Sequence, residues 1–244
     1  MLASIVRYAD DTAGLEKTLR LLQGLCTIAV GLVESAPQEA AYWVKLRAQL
    51  ALGRRYFRLL KWHPCWDNAI TSLGGNKPPL YKTLDVAKWS FIGMYFFLEM
   101  FTMTNAIGAT SFEWAPMAQR EANKCWFYGL IFSILVSLYE LLLLQNTTPT
   151  KREKKASSDL NGSTVKDEVK GKPSAPSPSS PPDDIEPHRI WTQLAIDCND
   201  LVIPGSAVGW MPVGPILVGT CSTISTVLAG RQIWNRVQQR AQQP

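Results

Sequence analysis

The chain has 244 residues, of which 46% are hydrophobic and 18% are charged, and this charged share lies below the roughly 25% of typical soluble proteins. It has no triplet repeat, no long heptad run and no general shortage of apolar residues, which excludes collagen-like, coiled-coil and wholly disordered classes. Lys and Arg number 25 against 20 Asp and Glu, an excess too small to indicate nucleic-acid binding by itself.

Scattered cysteines and two isolated histidines give no sign of a metal site. The five cysteines include no C-x-x-C pair, and the histidines lie far apart in the sequence. Structural zinc needs clustered ligands, and a disulfide framework needs a regular, paired set. We therefore expect no metal and no cofactor. An enzyme is the least supported class, because the chain has no Gly-rich phosphate loop and no G-x-S-x-G nucleophile elbow.

The first elements predicted along the chain are helices. From residue 12 to residue 33 apolar residues recur at three- and four-residue steps, and Asp11 lies where an N-cap is needed. A second helix is predicted from Ala40 to Trp62, ending at His63-Pro64. No strand-like alternation competes anywhere, so the fold class is all-α.

The second predicted helix is amphipathic and basic. Its basic residues share one side of the helical wheel: Arg47, Arg54, Arg55, Arg58 and Lys61. The remaining arc is apolar and includes Leu50, Phe57 and Leu60, and no acidic residue interrupts the segment 46–62. This composition is typical of a helix that lies in a headgroup plane, with its basic side on anionic lipid and its apolar side as a membrane wedge. The alternative is an ordinary amphipathic helix that packs on a neighbour.

Two later stretches are predicted to span a membrane. Residues 127–144 carry a single charge, Glu140, and their length suits a hydrocarbon core about 30 Å thick. Residues 212–230 are uncharged and are followed by Arg231. The alternative for the first stretch is a buried helix of a soluble bundle, which Glu140 slightly favours because a charge within a span is costly. The predicted interface anchors are Trp126, Trp210 and Trp234.

A third apolar stretch, residues 86–107, fits a bundle helix, an interfacial helix or an inserted one, and the sequence does not choose among them. The complete prediction is a helical membrane protein with amphipathic N-terminal helices and about two transmembrane helices.

These elements divide the chain into four regions. Residues 1–110 form an amphipathic helical region expected to act on a membrane, and residues 111–146 carry the first span. Residues 147–187 lack aromatic residues and are rich in Ser, Pro and Lys, so they bury too little apolar surface to offset ordering entropy and are predicted to be a disordered linker. Residues 188–244 contain the Gly-rich second span and a basic tail.

Three segments resemble the peroxisomal biogenesis factor 11 (peroxin 11) family, and the likeness extends over nearly the whole chain apart from the linker. Residues 15–23 are similar to the family's acidic-Lys-x-x-Arg-x-x-Gln start, and residues 54–61 resemble its Arg-Lys-x-x-Arg-x-Gly-Lys segment. Residues 197–201, with the Gly-rich apolar run that follows them, resemble its C-terminal end. Gly24 stands where an aromatic residue is usual, and Leu60 replaces the usual glycine.

The resemblance implies an integral protein of the peroxisomal membrane that elongates this membrane by inserting an amphipathic helix and promotes peroxisome proliferation and fission. It also implies self-association, recruitment of fission machinery including a dynamin-related GTPase, and both termini in the cytosol. The expected partners are therefore anionic membrane lipids, further copies of the chain and the fission machinery, and no nucleic acid.

Two other functions stay open on the sequence. One is a small-solute channel or transport-associated protein of the peroxisomal membrane, which Glu140 inside a span and the Gly-rich final helix would suit. The other is a soluble helical adaptor whose apolar runs form its core.

Overall fold

The structure, a computed structural model, describes the backbone of residues 2–158 and 187–241, and the side chains of residues 2–145 and 187–241. Over these residues the chain forms helices and no strand, which confirms the all-α class. In chain order the helices are α1 (Leu2–Asp10), α2 (Thr12–Leu32), α3 (Pro37–Tyr56), α4 (Trp62–Gly74), α5 (Pro79–Phe101), α6 (Met103–Ile107), α7 (Ala115–Ser158), α8 (Pro187–Val208) and α9 (Pro215–Arg240).

The start of α2 is fixed by an N-cap, as predicted. Asp11 Oδ1 accepts hydrogen bonds from the backbone N–H groups of Ala13 at 3.0 Å and Gly14 at 3.2 Å. These are two of the first-turn donors that have no partner within the helix. The predicted helix over residues 12–33 is confirmed, and the structure ends it at Leu32.

The predicted helix from Ala40 to Trp62 is wrong near its end, where the structure interrupts it at residues 57–61. α3 ends at Tyr56, and the chain then makes tight turns in which Arg58 N–H donates to Arg55 O at 3.0 Å and Lys61 N–H donates to Arg58 O at 3.0 Å. α4 begins at Trp62. Pro64 lies in the first turn of α4, where a missing N–H costs nothing, so it does not end a helix.

Residues 86–107, which the sequence left undecided, belong to a packed helix. α5 lies between α4 and α7 and contacts both. It ends at Phe101, and the short α6 that follows stops at Gly108, whose φ of 84° is a left-handed conformation that favours glycine.

α7 contains the candidate membrane span. Among the described helices it alone is long and apolar enough to cross a membrane, over Ala115–Gln145, with a mean hydropathy of 2.1 in its most apolar 18-residue window. Only 28% of that window is buried inside the protein, which counts against the core of a soluble bundle. The first predicted span, 127–144, lies within this segment.

The second predicted span, 212–230, is not long and apolar enough to count as a candidate span. α9 begins at Pro215, so an 18-residue window within it already includes Arg231 and Gln232. The described residues therefore contain one candidate span where about two were expected.

The predicted linker is only partly described. The backbone of α7 continues as a helix to Ser158, past the expected linker start at residue 147. Lys, Arg, Glu and Ala dominate residues 151–156, and these residue types favour helix. Residues 159–186 lie outside the described part of the chain, and α8 begins at Pro187.

The helices enclose a central space. α2 packs against α3 and α9, α9 against α8, α8 against α7, α7 against α5, and α5 against α4. The series closes where Arg55 of α3 and Arg58 just beyond it form ion pairs with Glu99 of α5. Side chains on the inner sides of these helices therefore face one another across the interior.

Two glycines allow α2 and α9 to approach closely. A Cβ atom on Gly219 would lie 2.8 Å from the backbone oxygen of Gly24 and 2.7 Å from Cγ1 of Ile28. A Cβ atom on Gly24 would lie 2.8 Å from Oγ1 of Thr223. The small residue at position 24, which departs from the family pattern, is thus part of the contact between these helices.

We expect Gly219→Ala to destabilise the protein. The added methyl group meets backbone atoms that must shift, at a cost of about 1–3 kcal/mol, which exceeds the gain in helix propensity of up to about 1 kcal/mol. The measurement is the thermal unfolding midpoint of the purified protein in detergent. Gly53→Ala is the matched control, because Gly53 also lies inside a helix and a Cβ there meets only Cδ1 of Leu19, at an ordinary 3.9 Å. Equal midpoints for the two variants would contradict this packing.

Candidate functional site, a basic interior cavity

Charged side chains lie inside this protein, and many apolar side chains lie on its outside. The buried charged residues are Glu16, Arg20, Arg54, Asp85, Glu99, Asp197 and Asp200. The exposed apolar residues include Leu22, Leu25, Leu60, Ile70, Leu138, Leu142, Ile224 and Val227. A buried charge is costly unless it is paired and hydrogen-bonded, so the partners of the buried groups define what the interior can do.

The first buried cluster joins α2 to α3. Arg54 Nη2 and Nε lie 3.1 and 3.3 Å from Glu16 Oε1, and Arg54 Nη1 donates to Gln23 Oε1 at 2.6 Å. Two lysines lie near the other carboxylate oxygen, Lys17 at 3.8 Å and Lys61 at 3.9 Å. Burial alone would raise the pKa of Glu16, but the surrounding cations, Lys17 and Arg54 first, lower it to about 2.

The second cluster joins the turn after α3 to α5. Arg58 Nη2 donates to Glu99 Oε1 at 2.9 Å, and its Nη1 donates to the hydroxyl oxygen of Tyr95 at 2.9 Å. Tyr95 in turn donates to Glu99 Oε1 at 3.1 Å, and Arg55 Nε lies 3.6 Å from the same oxygen. The carboxylate of Glu99 therefore interacts with two arginine side chains and with the hydroxyl group of Tyr95.

A third buried pair joins α2 to the C-terminal helices. Arg20 Nη2 donates to Asp200 Oδ1 of α8 and, at 3.3 Å, lies within reach of Ser225 Oγ of α9. Because Arg20 is buried and Asp200 is its counter-ion, this pair fixes α8 against α2 across the interior.

These clusters surround two neighbouring cavities, which we call the basic interior cavity. The larger has a volume of about 210 Å³ and the smaller about 140 Å³. Both are lined by Arg20, Arg54, Arg58, Tyr95 and Trp126. Together their walls contain six cationic side chains, Lys17, Arg20, Arg54, Arg55, Arg58 and Lys61, and three carboxylates, Glu16, Glu99 and Asp200.

Burial, together with neighbouring cations, lowers the pKa of two of these cationic side chains. Burial, with repulsion from Arg20, lowers the pKa of Lys17 to about 8. Burial, with repulsion from Arg58 and Arg20, lowers the pKa of Arg54 to about 10. Burial is the largest cause in both cases, whereas at Arg58 the neighbouring Tyr95, Glu99 and Glu16 outweigh burial and raise the pKa.

The structure moves two of the predicted lipid-binding residues to the inside. Arg54 is 8% exposed and the side chain of Arg58 is 11% exposed, and both are engaged with carboxylates. An outward position would leave Glu16 and Glu99 buried without these partners. Both guanidinium groups therefore face the interior, and a contact with lipid headgroups stays a prediction for these two arginines.

The other predicted lipid contacts are more accessible. Arg47, Leu50 and Phe57 are half-buried, and the side chains of Arg55 and Lys61 are 21% and 39% exposed. Leu60 is 66% exposed, so it is the predicted wedge residue that the structure leaves most open.

The predicted interface anchors occupy three different settings. Trp126 stacks on Tyr95 with ring centroids 5.1 Å apart and lines the cavity. Trp210 is exposed and packs against Phe127 at 5.0 Å. Trp234 packs against Tyr8 of α1 at 5.6 Å. Their shared role as anchors stays a prediction.

Glu140, the charge within the predicted first span, also has a partner. Its Oε1 accepts a hydrogen bond from the hydroxyl of Tyr81 at 2.9 Å. No group of three metal-ligating side chains is found among the residues whose side chains are described.

Sequence reasoning missed the acidic half of the cavity, although a signal for it was present. Glu16, Arg20 and Gln23 follow one another at four- and three-residue steps and so share one side of α2. A polar stripe on a helix that is otherwise rich in leucine indicates a polar partner inside the fold. The three segments that carry the family resemblance each contribute to this cavity, through residues 16–23, residues 54–61 and Asp200.

A helical fold with an exposed apolar span and charges turned inward defines the chain as an all-α membrane protein. The sequence model of the family described as Peroxisomal biogenesis factor 11 (PEX11) matches residues 2–234, and the chain belongs to this family.

Three curated proteins of similar sequence share the same name. Peroxisomal membrane protein 11A of Bos taurus is 24% identical over 178 residues, which cover 68% of this chain and 69% of that protein. The protein of the same name from Mus musculus is 24% identical over 158 residues, with 64% of each chain covered. The chain thus matches about two thirds of the length of these relatives. No solved structure matches it.

We expect Arg54→Gln to destabilise the protein more than Arg54→Gln combined with Glu16→Gln. The single change removes the main partner of a buried carboxylate, at a cost of about 3 kcal/mol. The second change removes the uncompensated charge and restores at least about 1 kcal/mol. The measurement is the free energy of unfolding in detergent.

Lys45→Gln, at an exposed position of the same helix, is the control and stays within about 0.5 kcal/mol of the parent protein. A double variant that is less stable than the Arg54 variant would mean that the Glu16–Arg54 pair does not hold α3 in place.

Proposed function

We propose that this protein remodels the peroxisomal membrane from a helical ring anchored by α7, using the exposed apolar turn between α3 and α4 as its wedge. The protein is a peroxisomal membrane protein with a role in the proliferation and division of peroxisomes. The match of the family model to residues 2–234 is the observation that carries this role.

The mechanism of remodelling belongs to the proposal, and it differs from insertion of one continuous basic helix. The end of α3 and the turn that follows it present three apolar side chains to the outside, Tyr56 at 52%, Leu59 at 41% and Leu60 at 66% exposure. The basic side chains of this region that are partly accessible are Arg55 and Lys61. A short apolar wedge flanked by cations enters one leaflet while its cations stay with anionic headgroups, and expansion of that leaflet favours curvature.

Arg54 and Arg58 have a different role in this proposal. They hold the turn in place from the inside through Glu16 and Glu99. The wedge is thus presented by a rigid support, and the lipid contacts fall to Arg47, Arg55 and Lys61.

Partners are also part of the proposal. Family membership supports contact with the fission machinery, including a dynamin-related GTPase, and association between copies of the chain. The exposed apolar side chains of α9, Ile216, Leu217, Ile224 and Val227, offer a surface for lipid or for a second copy.

The test is fluorescence microscopy of the tagged full chain, overproduced beside a peroxisomal matrix marker. We expect the signal to surround the marker and peroxisomes to become elongated or more numerous. Leu60→Asp should reduce elongation without loss of localisation, because the side chain is exposed and its change leaves the fold intact.

Leu2→Asp, at a position that is 76% exposed on α1, is the matched control and should elongate peroxisomes as the parent chain does. Elongation by the Leu60 variant equal to that of the control would rule out this wedge, and a signal away from peroxisomes would overturn the localisation.

A small-solute channel of the peroxisomal membrane is the second candidate, and the cavity at the centre of the ring is the observation that favours it. The features that first suggested it have packing roles, since Glu140 binds Tyr81 and Gly219 faces Gly24. A channel predicts solute-dependent conductance in proteoliposomes that changes on Asn123→Leu in the cavity wall. Conductance at the level of empty vesicles would exclude it.

A further inference from the structure

We propose that the basic interior cavity is a binding site for a phosphate group, carried either by a lipid headgroup or by a small soluble phosphate. This site lies inside the ring and shares Arg55 and Lys61 with the outer wedge, and binding there does not depend on the proposed remodelling activity.

The charge of the cavity wall calls for an anion. Six cationic side chains meet three carboxylates in the walls of the two cavities, an excess of three positive charges. The three arginines that line both cavities are largely buried and match the carboxylates in number. The excess lies on Lys17, Arg55 and Lys61, whose side chains are 20%, 21% and 39% exposed, and a bound anion would offset it.

One arginine in the wall also has an unused donor. Arg58 donates from both terminal nitrogens, but its Nε is buried and has no hydrogen-bond partner. Buried polar groups are almost always hydrogen-bonded, so a buried N–H without a partner indicates an absent one. Because Arg58 lines both cavities, a ligand there lies next to this side chain.

The types of donor in the wall favour phosphate in particular. Guanidinium groups match the oxygens of a phosphate through paired hydrogen bonds, and three of them, from Arg20, Arg54 and Arg58, line both cavities. The carboxamide oxygens of Gln23 and Gln119 already accept bonds from Arg54 and Thr102. The NH₂ groups of these carboxamides are therefore the donors that remain for a ligand.

The size of the cavity is also suitable. A volume of about 210 Å³ is several times the roughly 30 Å³ that one water occupies in the liquid. A phosphate group with its ester oxygen fits this space, whereas a whole phospholipid does not. For a lipid ligand only the headgroup would enter.

The experiment uses the purified full chain in non-ionic detergent and two probes. One probe is inorganic phosphate, compared with chloride at equal ionic strength. The other is a mixed micelle doped with phosphatidic acid, compared with one doped with phosphatidylcholine. Binding is measured as a shift of the thermal midpoint and by calorimetric titration, since a ligand that binds only the folded state stabilises it.

Two alanine-to-leucine substitutions test whether the ligand binds in the cavity. Ala51→Leu adds three carbons to a residue of the cavity wall and leaves every charge in place, and we expect it to weaken binding at least tenfold. Ala48→Leu makes the same change at an exposed position of the same helix and should bind as the parent chain does. Because neither change touches an ion pair, lost binding cannot be ascribed to a lost counter-ion.

Each outcome decides the proposal. Binding of inorganic phosphate that Ala51→Leu removes supports a soluble phosphate, and binding of phosphatidic acid alone that Ala51→Leu removes supports a lipid headgroup. No effect of either probe on the parent chain, or equal affinities of the Ala51 and Ala48 variants, would overturn the site.

Discussion

The buried ion pair between Glu16 and Arg54 fixes the orientation of α3, and the closed ring of helices depends on it. Each side chain is less than 10% exposed, so neither could keep its charge inside without the other. An apolar helix can rotate about its axis at modest cost. Rotation of α3 would instead leave the buried carboxylate of Glu16 without its ion-pair partner Arg54. This orientation also brings Arg58 onto Glu99, and the contact with α5 closes the ring.

The buried charged side chains and the exposed apolar side chains are features of the same arrangement of helices. In water such a protein would expose a large apolar area, whereas a bilayer accepts that surface and penalises any charge that faces it. The inward ion pairs therefore suit a membrane protein. They also explain why segments around residues 20, 58 and 200, far apart in the sequence, meet at one cavity: each supplies a charge that needs a counter-ion from another.

Local signals in the sequence were sufficient for α2 and for the candidate span, because Asp11 and the spacing of leucines fix α2, and hydropathy fixes the apolar part of α7. They were insufficient for the site. A helical wheel shows that the basic side of residues 46–62 differs from its apolar side, but it does not tell which side faces inward. That choice depends on Glu16 and Glu99, which lie about forty residues away in either direction. The break after Tyr56 has the same origin, since the chain must turn there for Arg58 to meet its own carboxylate.

Helix α1 touches the last turns of α9, and this contact restricts how the two can be placed relative to a membrane. Arg7 Nη2 donates to Gln238 Oε1 at 2.9 Å, and Arg236 lies 3.6 Å from Asp11. Arg7 and Arg236 are exposed, and charged side chains are costly in hydrocarbon. The contact holds α1 and the last turns of α9 together at one end of the ring. Neither can move to the opposite side of a membrane while this contact is kept.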